Sequence, residues 1–159
     1  MLIRPATDAD WASIHPFFTV IVDAGDTYAY PSGLSSDEAK ALWLGQHRVA
    51  VAEEDGILLG SATMGPNRPG RGSHVGTASF MVDPAARGRG AGRALGEHML
   101  AWAKDAGFAA VQFNAVVETN AGAVRLWRSL GFEIIGTVPE AFDSRTHGLV
   151  GLHVMHRFL

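Results

Sequence analysis

The chain has no cysteine, and its 159 residues include only two lysines, Lys40 and Lys104, and two tyrosines, Tyr28 and Tyr30. Without thiols, disulfides, zinc–thiolate centres and a cysteine nucleophile are all excluded. A basic excess is missing too. The formal net charge of -3 argues against a general nucleic-acid binder, so no nucleic-acid partner is expected. No apolar run reaches the roughly 18 residues needed to span a bilayer. The opening "MLIRPATDADW" lacks the apolar core of a signal peptide, so a cytoplasmic location without membrane partners is the expectation. What is present, 47% hydrophobic and 18% charged residues, describes one folded domain over residues 1–159.

Apolar periodicity and turn residues set the order of elements. "LIRPA" (2–6) reads as a strand. Thr7 caps a helix carrying Trp11, Ile14, Phe18, Ile21 and Val22, and Pro16 predicts a kink or break in it. "AGDTYAYPSGL" (24–34) is a loop, and Ser35 with Glu38 forms the capping box of a second helix. Strands at 47–54 and 57–65 flank the hairpin signal Asp55-Gly56, and a third runs over 73–83 after the turn "NRPGRG". These three are expected to pair antiparallel. Leu95, Met99, Trp102 and Ala106 mark one face of a helix that Gly107 ends. A strand follows at 109–118, then a helix at 120–131 with Ala123, Leu126, Trp127 and Leu130 on one stripe. Two last strands, 132–138 and 150–158, are joined by a loop at 139–148. The order β-α-α-β-β-β-α-β-α-β-β predicts a mixed α+β fold of about seven strands and about four helices.

"RGRGAG" (87–92) lies between the strand at 73–83 and the helix after it. Three glycines beside Arg87, Arg89 and Arg93 make either a solvated basic turn or an anion cradle. A helix start exposes unpaired N–H groups at the positive end of its dipole, and glycine lets a phosphate approach the backbone. A Rossmann fingerprint fails, because Arg93 stands where its third glycine belongs. No Gly-Lys pair exists for a P-loop.

The pattern R87-x-x-G90-x-G92, following "FMVDP" and opening an amphipathic helix, resembles the acyl-CoA pyrophosphate signature of the GCN5-related N-acetyltransferases, the GNAT family. "NAGAVRLWRSLGF" (120–132) is similar to that family's second signature. The resemblance implies a GNAT fold with a mostly antiparallel sheet that splays between 73–83 and 109–118, and acetyl-CoA as acyl donor with no metal. It implies that the pantetheine arm pairs with the backbone of Phe80, Met81 and Val82. The pyrophosphate then sits on Arg87, Gly88, Arg89, Gly90, Ala91, Gly92 and Arg93, and Asn120 reaches the cofactor from the next helix. The partner implied is a small-molecule amine, and a homodimer is left open. A protein amine as acceptor, or a non-catalytic acyl-CoA-binding module, are the alternatives.

Acyl transfer needs a neutral amine, an oxyanion stabiliser and routes for two protons. Backbone N–H groups near Phe80 or Met81 can serve the oxyanion. An α-amine, with a reference pKa of about 7.7–8.0, needs only a weak base. The family often has a tyrosine seven residues after the helix-leading asparagine, as acid for the thiolate. Here that residue is Trp127, whose indole is a donor but no usable acid, and core packing accounts for it. On the strand at 109–118, Gln112, Asn114, Val116 and Glu118 alternate with Val111, Phe113, Ala115 and Val117, so the first set lines a cleft. "FNAVVETN" (113–120) resembles the fungal proline-analogue N-acetyltransferases, which implies that Asn114 holds substrate and reacting carbonyl, with Glu118 as base or ammonium anchor. Thr77 and Phe80 on the neighbouring strand, and Tyr28 and Tyr30 in the loop, are the expected acceptor contacts. His153 and His156 point to opposite faces of a strand, so no shared metal is expected.

Overall fold

The computed structural model describes residues 1–46 and 48–159, so the expected strand start at His47 lies outside the described residues. Seven strands form one sheet: β1 (Leu2–Pro5), β2 (Arg48–Glu54), β3 (Ile57–Pro66), β4 (Val75–Val82), β5 (Ala110–Val117), β6 (Glu133–Ser144) and β7 (Gly148–Phe158), in spatial order β1-β2-β3-β4-β5-β7-β6. Four helices flank it: α1 (Trp11–Ala24), α2 (Ser36–Leu44), α3 (Ala91–Asp105) and α4 (Ala121–Ser129). The expected mixed, mostly antiparallel architecture holds. Asp55 at φ 53° and Gly56 at φ 76° make the tight turn between β2 and β3, as the Asp-Gly pair predicts. Ser35 and Glu38 cap α2 reciprocally.

Each face of the sheet buries its own core. Trp11, Ile14, Phe18 and Val22 of α1 and Trp43 of α2 cover Val51, Leu58 and Met81 on one face. The polar tip of Trp43 is satisfied at Ser61, whose hydroxyl in turn donates to the Ala50 carbonyl, both at 3.0 Å. On the other face Leu95 and Met99 of α3 and Trp127 of α4 pack over Ala50, Leu59, Val111, Phe113 and Met155. Gly96 lets α3 and α4 close on each other: a Cβ there would stand 2.7 Å from Leu130 and 3.1 Å from Trp127.

Four expectations change. α1 runs unbroken through Pro16. The burial of its apolar stripe, at about 1.5–3 kcal/mol per large side chain, outweighs the roughly 3 kcal/mol that an internal proline costs. On α3, Ala103 completes the buried stripe and Ala106 is exposed. The loop expected at 139–148 is mostly strand. After a bulge between Val138 and Phe142, β6 resumes pairing with β7, and only residues 145–147 remain as the turn. Phe142 and Val150 bury themselves there with Val117, which overrides the turn-forming composition of "PEAFDSRTHG". Last, the alternation along β5 is interrupted. Its register with β7 shifts between Phe113 and Val116, so Val116 joins the core beside Phe113 while Asn114 and Ala115 are exposed.

Candidate active site

β4 and β5 are parallel neighbours, but they pair at only two positions, Val75 with Ala110 and Gly76 with Val111. Beyond these the strands part, and a cavity of about 350 Å³ fills the gap. Thr77, Ser79 and Phe80 line it from β4, Phe113 and Asn114 from β5, and Asn120, Ala123 and Trp127 from the start and face of α4. Thr27, Tyr28 and Tyr30 close it from the loop after α1, with Phe142 and Leu152 from the last hairpin.

The edge of β4 that faces the gap can be read from its ladder. The Asp83 N–H donates to the Leu59 carbonyl in β3, so Met81 and Ser79, two and four residues back, direct their main-chain groups to β3 as well. Phe80 and Val82 therefore present theirs to the gap. Of the three residues expected to pair with a pantetheine arm, Phe80 and Val82 direct their main-chain groups to the gap and Met81 directs its own to β3. At Phe80 both groups already have a partner. The Tyr28 hydroxyl accepts from the Phe80 N–H at 2.9 Å and donates to the Phe80 carbonyl at 2.6 Å. Burial pushes the Tyr28 phenol well above its usual pKa, with Tyr30 adding to the effect, and burial also raises Tyr30.

The loop expected to cradle an anion is a short turn followed by two left-handed glycines at the start of α3. Asp83 caps a short 3₁₀ turn over Pro84–Ala86, accepting from the Ala85 N–H. Gly88 and Gly90 follow at φ 83° and 85°, and Gly90 is the N-cap of α3. A Cβ at either would meet nothing within 4 Å, so open space lies in front of both. The first helical turn, Ala91, Gly92 and Arg93, leaves its N–H groups without helical acceptors. Gly92 has a different task, since a Cβ there would press on Leu126 at 3.3 Å. Two arginines are engaged within the protein. Arg89 pairs with Glu54, and Arg93 donates to Ser129 at 2.7 Å and reaches Glu97.

Asn114 and Asn120 both reach the cavity. The Asn114 amide is held on two sides, accepting from Gln112 at 2.9 Å and donating to Asn67 at 2.6 Å. Asn120 is the N-cap of α4, its side chain accepting from the Ala123 N–H at 3.2 Å. Glu118 is not part of the cavity wall. Its carboxylate accepts from the Gly151 N–H, and its own N–H donates to the Gly151 carbonyl, which ties the end of β5 to β7. Trp127 lies in the core, 6% exposed, with Phe80 at 4.6 Å and Phe113 at 4.8 Å between ring centroids. His153 bonds Thr137 through its ring nitrogen, and His156 packs edge-on to Phe158. Among the described residues, no group of three or more histidines or carboxylates could hold a metal. No described helix is long and apolar enough to cross a membrane.

Sequence reasoning missed how the loop after α1 is held. The Asp26 carboxylate accepts from the hydroxyls of Ser144 and Thr146, each at 2.7 Å, and from the Thr146 N–H at 3.0 Å. The Arg145 N–H donates to the Gly25 carbonyl at 3.0 Å. These bonds clasp the loop after α1 to the turn between β6 and β7. The Ser144 hydroxyl, then the Thr146 groups, hold the Asp26 pKa down at about 2. No local pattern marks this clasp, nor Asn67 as a partner of Asn114.

The fold recurs in solved structures. A solved structure of a GCN5-related N-acetyltransferase from Kribbella flavida superposes with a TM-score of 0.96 at 60% identity, covering 99% of this chain and 97% of that one. The structure of yncA, a putative acetyltransferase from Salmonella typhimurium with its cofactor acetyl-CoA, superposes at 0.86 with 27% identity, covering 100% and 94%. In sequence, the chain is 32% identical over 147 residues to the L-methionine sulfoximine/L-methionine sulfone acetyltransferase of Salmonella typhimurium, covering 88% of this chain and 84% of that protein. It is 39% identical over 90 residues to N-acetyltransferase aca1 of Schizosaccharomyces pombe, a match over 57% of this chain and only 43% of that relative. Residues 15–132 match the acetyltransferase (GNAT) family, and the chain therefore belongs to that family of enzymes.

Proposed function

We propose that this enzyme transfers the acetyl group of acetyl-CoA to the amine of a small molecule, an amino acid or an amino-acid analogue. The observation that carries the reading is how one end of the cleft is walled. The cavity, about 350 Å³ and so of small-ligand size, is lined there by Thr27–Tyr30 and by Phe142, on two segments that the Asp26 clasp joins. The Salmonella relative, named for two amino-acid analogues, supports the same class.

In this reading the pyrophosphate lies on the N–H groups of Gly88 and of residues 90–93, with Arg87, Arg89 and Arg93 around it, since the Arg89 N–H donates to the Ala86 carbonyl. The pantetheine arm runs along the open edge of β4 at Phe80 and Val82. Asn120 borders the arm, while Thr77, Tyr28, Tyr30 and Asn114 surround the acceptor. The amine attacks the thioester carbon directly, and Trp127 packs the wall without giving a proton. Glu118, bound to Gly151, is better placed to hold β5 against β7 than to take the amine's proton.

The test is thiol release from acetyl-CoA across amino acids, their sulfone and sulfoximine analogues, proline analogues, polyamines and peptides. Turnover should be highest with a free amino acid or an analogue. Preference for a peptide would overturn the acceptor class. The donor is checked separately. Acetyl-CoA at 100 times its Kd should stabilise the protein by about 2.7 kcal/mol, and no thermal shift at millimolar concentration would count against the cradle.

A further inference from the structure

We propose that Tyr28 is a catalytic residue, whose hydroxyl donates to the thioester carbonyl and to the oxyanion that forms from it. The inference rests on acetyl-CoA occupying the gap between β4 and β5. Backbone N–H groups of β4 are the obvious oxyanion donors, but the geometry removes the two nearest. Met81 directs its N–H towards β3, and the Phe80 N–H is already bonded to the Tyr28 hydroxyl at 2.9 Å. What the gap receives instead is the hydroxyl. It stands at the Phe80 edge, on a cavity wall that Asn114 and Trp127 also line.

A hydroxyl suits this place because it can accept and donate at once. Accepting from the Phe80 N–H polarises its O–H bond and strengthens it as a donor. Its hydrogen rests on the Phe80 carbonyl at 2.6 Å and needs only rotation about the C–O bond to leave it. The amide of the pantetheine arm nearest the sulfur is a donor of the kind that can take over that carbonyl. Two other donors on the wall are committed elsewhere: the Asn114 amide is engaged by Gln112 and Asn67, and the Trp127 ring packs at a tilt against Phe80 and Phe113.

The chemistry balances without a proton leaving the phenol. The amine nitrogen forms a bond to the thioester carbon, and the carbonyl electron pair moves to oxygen, held by the Tyr28 O–H. Collapse breaks the C–S bond and releases thiolate, and the surplus amine proton goes to solvent. Burial keeps the phenol protonated, which a hydrogen-bond donor requires.

The test compares wild type with Tyr28→Phe, using the non-transferable ketone analogue of acetyl-CoA in which methylene replaces sulfur, labelled with carbon-13 at the carbonyl. CoA affinity by calorimetry should change less than about threefold. The kcat should fall by roughly 100-fold or more, the cost of losing one oxyanion donor. The labelled carbonyl band in the infrared should move up, away from its hydrogen-bonded position. An unchanged band, or a kcat within tenfold of wild type, would overturn the proposal, because the freed Phe80 N–H would then be the donor. A second measurement needs no variant at this site. With only two tyrosines in the chain, 3-fluorotyrosine gives two resonances, assigned with Tyr30→Phe. The Tyr28 signal should shift with the ketone analogue and not with the thioether ethyl-CoA. Identical spectra with both bound ligands would reject the proposal. Failure of ethyl-CoA to bind at all would show instead that the cofactor reading is at fault, and the proposal would fall with it.

Discussion

The glycine loop at residues 87–93, the proposed cradle, comes from one contiguous stretch, while the proposed acceptor end of the cleft is gathered from distant parts of the chain. The cradle's shape follows from two left-handed glycines and a helix start. The acceptor end joins Asp26 to Ser144 and Thr146, 118 and 120 residues further on, and Asn67 to Asn114, 47 residues apart. A site that binds a constant cofactor can be built from local backbone conformation. A site that must distinguish acceptors is built from side chains on separate elements, where single substitutions change its shape without disturbing the cofactor.

The largest effect that sharpens this contrast is expected at Asn114. Asn114→Ala should lower kcat/KM by about one to three orders of magnitude, with acetyl-CoA affinity nearly unchanged. Asn120→Ala should lose cofactor affinity first, and also about 1 kcal/mol of stability, because the side chain caps α4. Calorimetry and steady-state kinetics on both variants test the pair. Reversed patterns would exchange the two roles.

The cradle is broken next. A valine at Gly90 must adopt φ 85°, a strain of order 1–3 kcal/mol, and its side chain fills the open space before the helix. Gly90→Val should weaken acetyl-CoA binding by roughly 30-fold or more. Arg89→Ala, which removes an exposed ion pair with Glu54, should cost about 1 kcal/mol or less. Equal losses would mean that side chains rather than N–H groups hold the phosphates.

A smaller effect is expected from opening the clasp. Asp26→Ala should raise the acceptor KM by about tenfold, the scale of one or two lost hydrogen bonds, and leave the Kd for CoA alone. The wild-type clasp should not titrate in the assay range. A carboxylate depressed from 3.8 to about 2 contributes fully above its unfolded pKa and is lost only as pH falls through about 2. Any break in the kcat/KM profile above about pH 4 should therefore persist in Asp26→Ala. Its disappearance would assign the break to this carboxylate.

The smallest kinetic change is expected at Trp127. Trp127→Phe should keep kcat within severalfold while lowering stability by about 1–3 kcal/mol, since the indole is packed against Phe80, Phe113 and the backbone at Gly96. A drop of a hundredfold in an intact fold would give the indole a catalytic part.

The order of elements and the backbone form of the glycine loop were legible because each rests on neighbours in sequence: the capping box at Ser35, the turn at Asp55-Gly56, the glycines after β4. The errors share one cause. Residues 139–144 look like a loop until Phe142 finds Val117 and Val150, and Ala115 looks like core until β5 bulges. Neither contact has a local signal. Glu118 was singled out by alternation and by the resemblance of residues 113–120, and its partner Gly151, which has no local signal, comes from β7. Tyr28 was read as a cavity wall, but its bonds to the backbone of Phe80, 52 residues away, had no signature in sequence.

The early parting of β4 and β5 also bears on how the molecule avoids its own kind. A sheet ordinarily exposes two edge strands, each a template on which another chain can add. This one has β1 and β6 at its margins and, beyond the two paired positions, two further stretches in its middle where β4 and β5 do not pair with each other. Those inner edges face each other across a gap roofed by the loop at 27–30 and floored by α4. An extended polypeptide, with a side chain at every residue, would have to force both apart to add there. A slender arm with amides but no side chains would not. The gap thus acts as a filter on shape: it admits a strand-like ligand while shielding the hydrogen-bonding groups that would otherwise recruit a neighbouring protein.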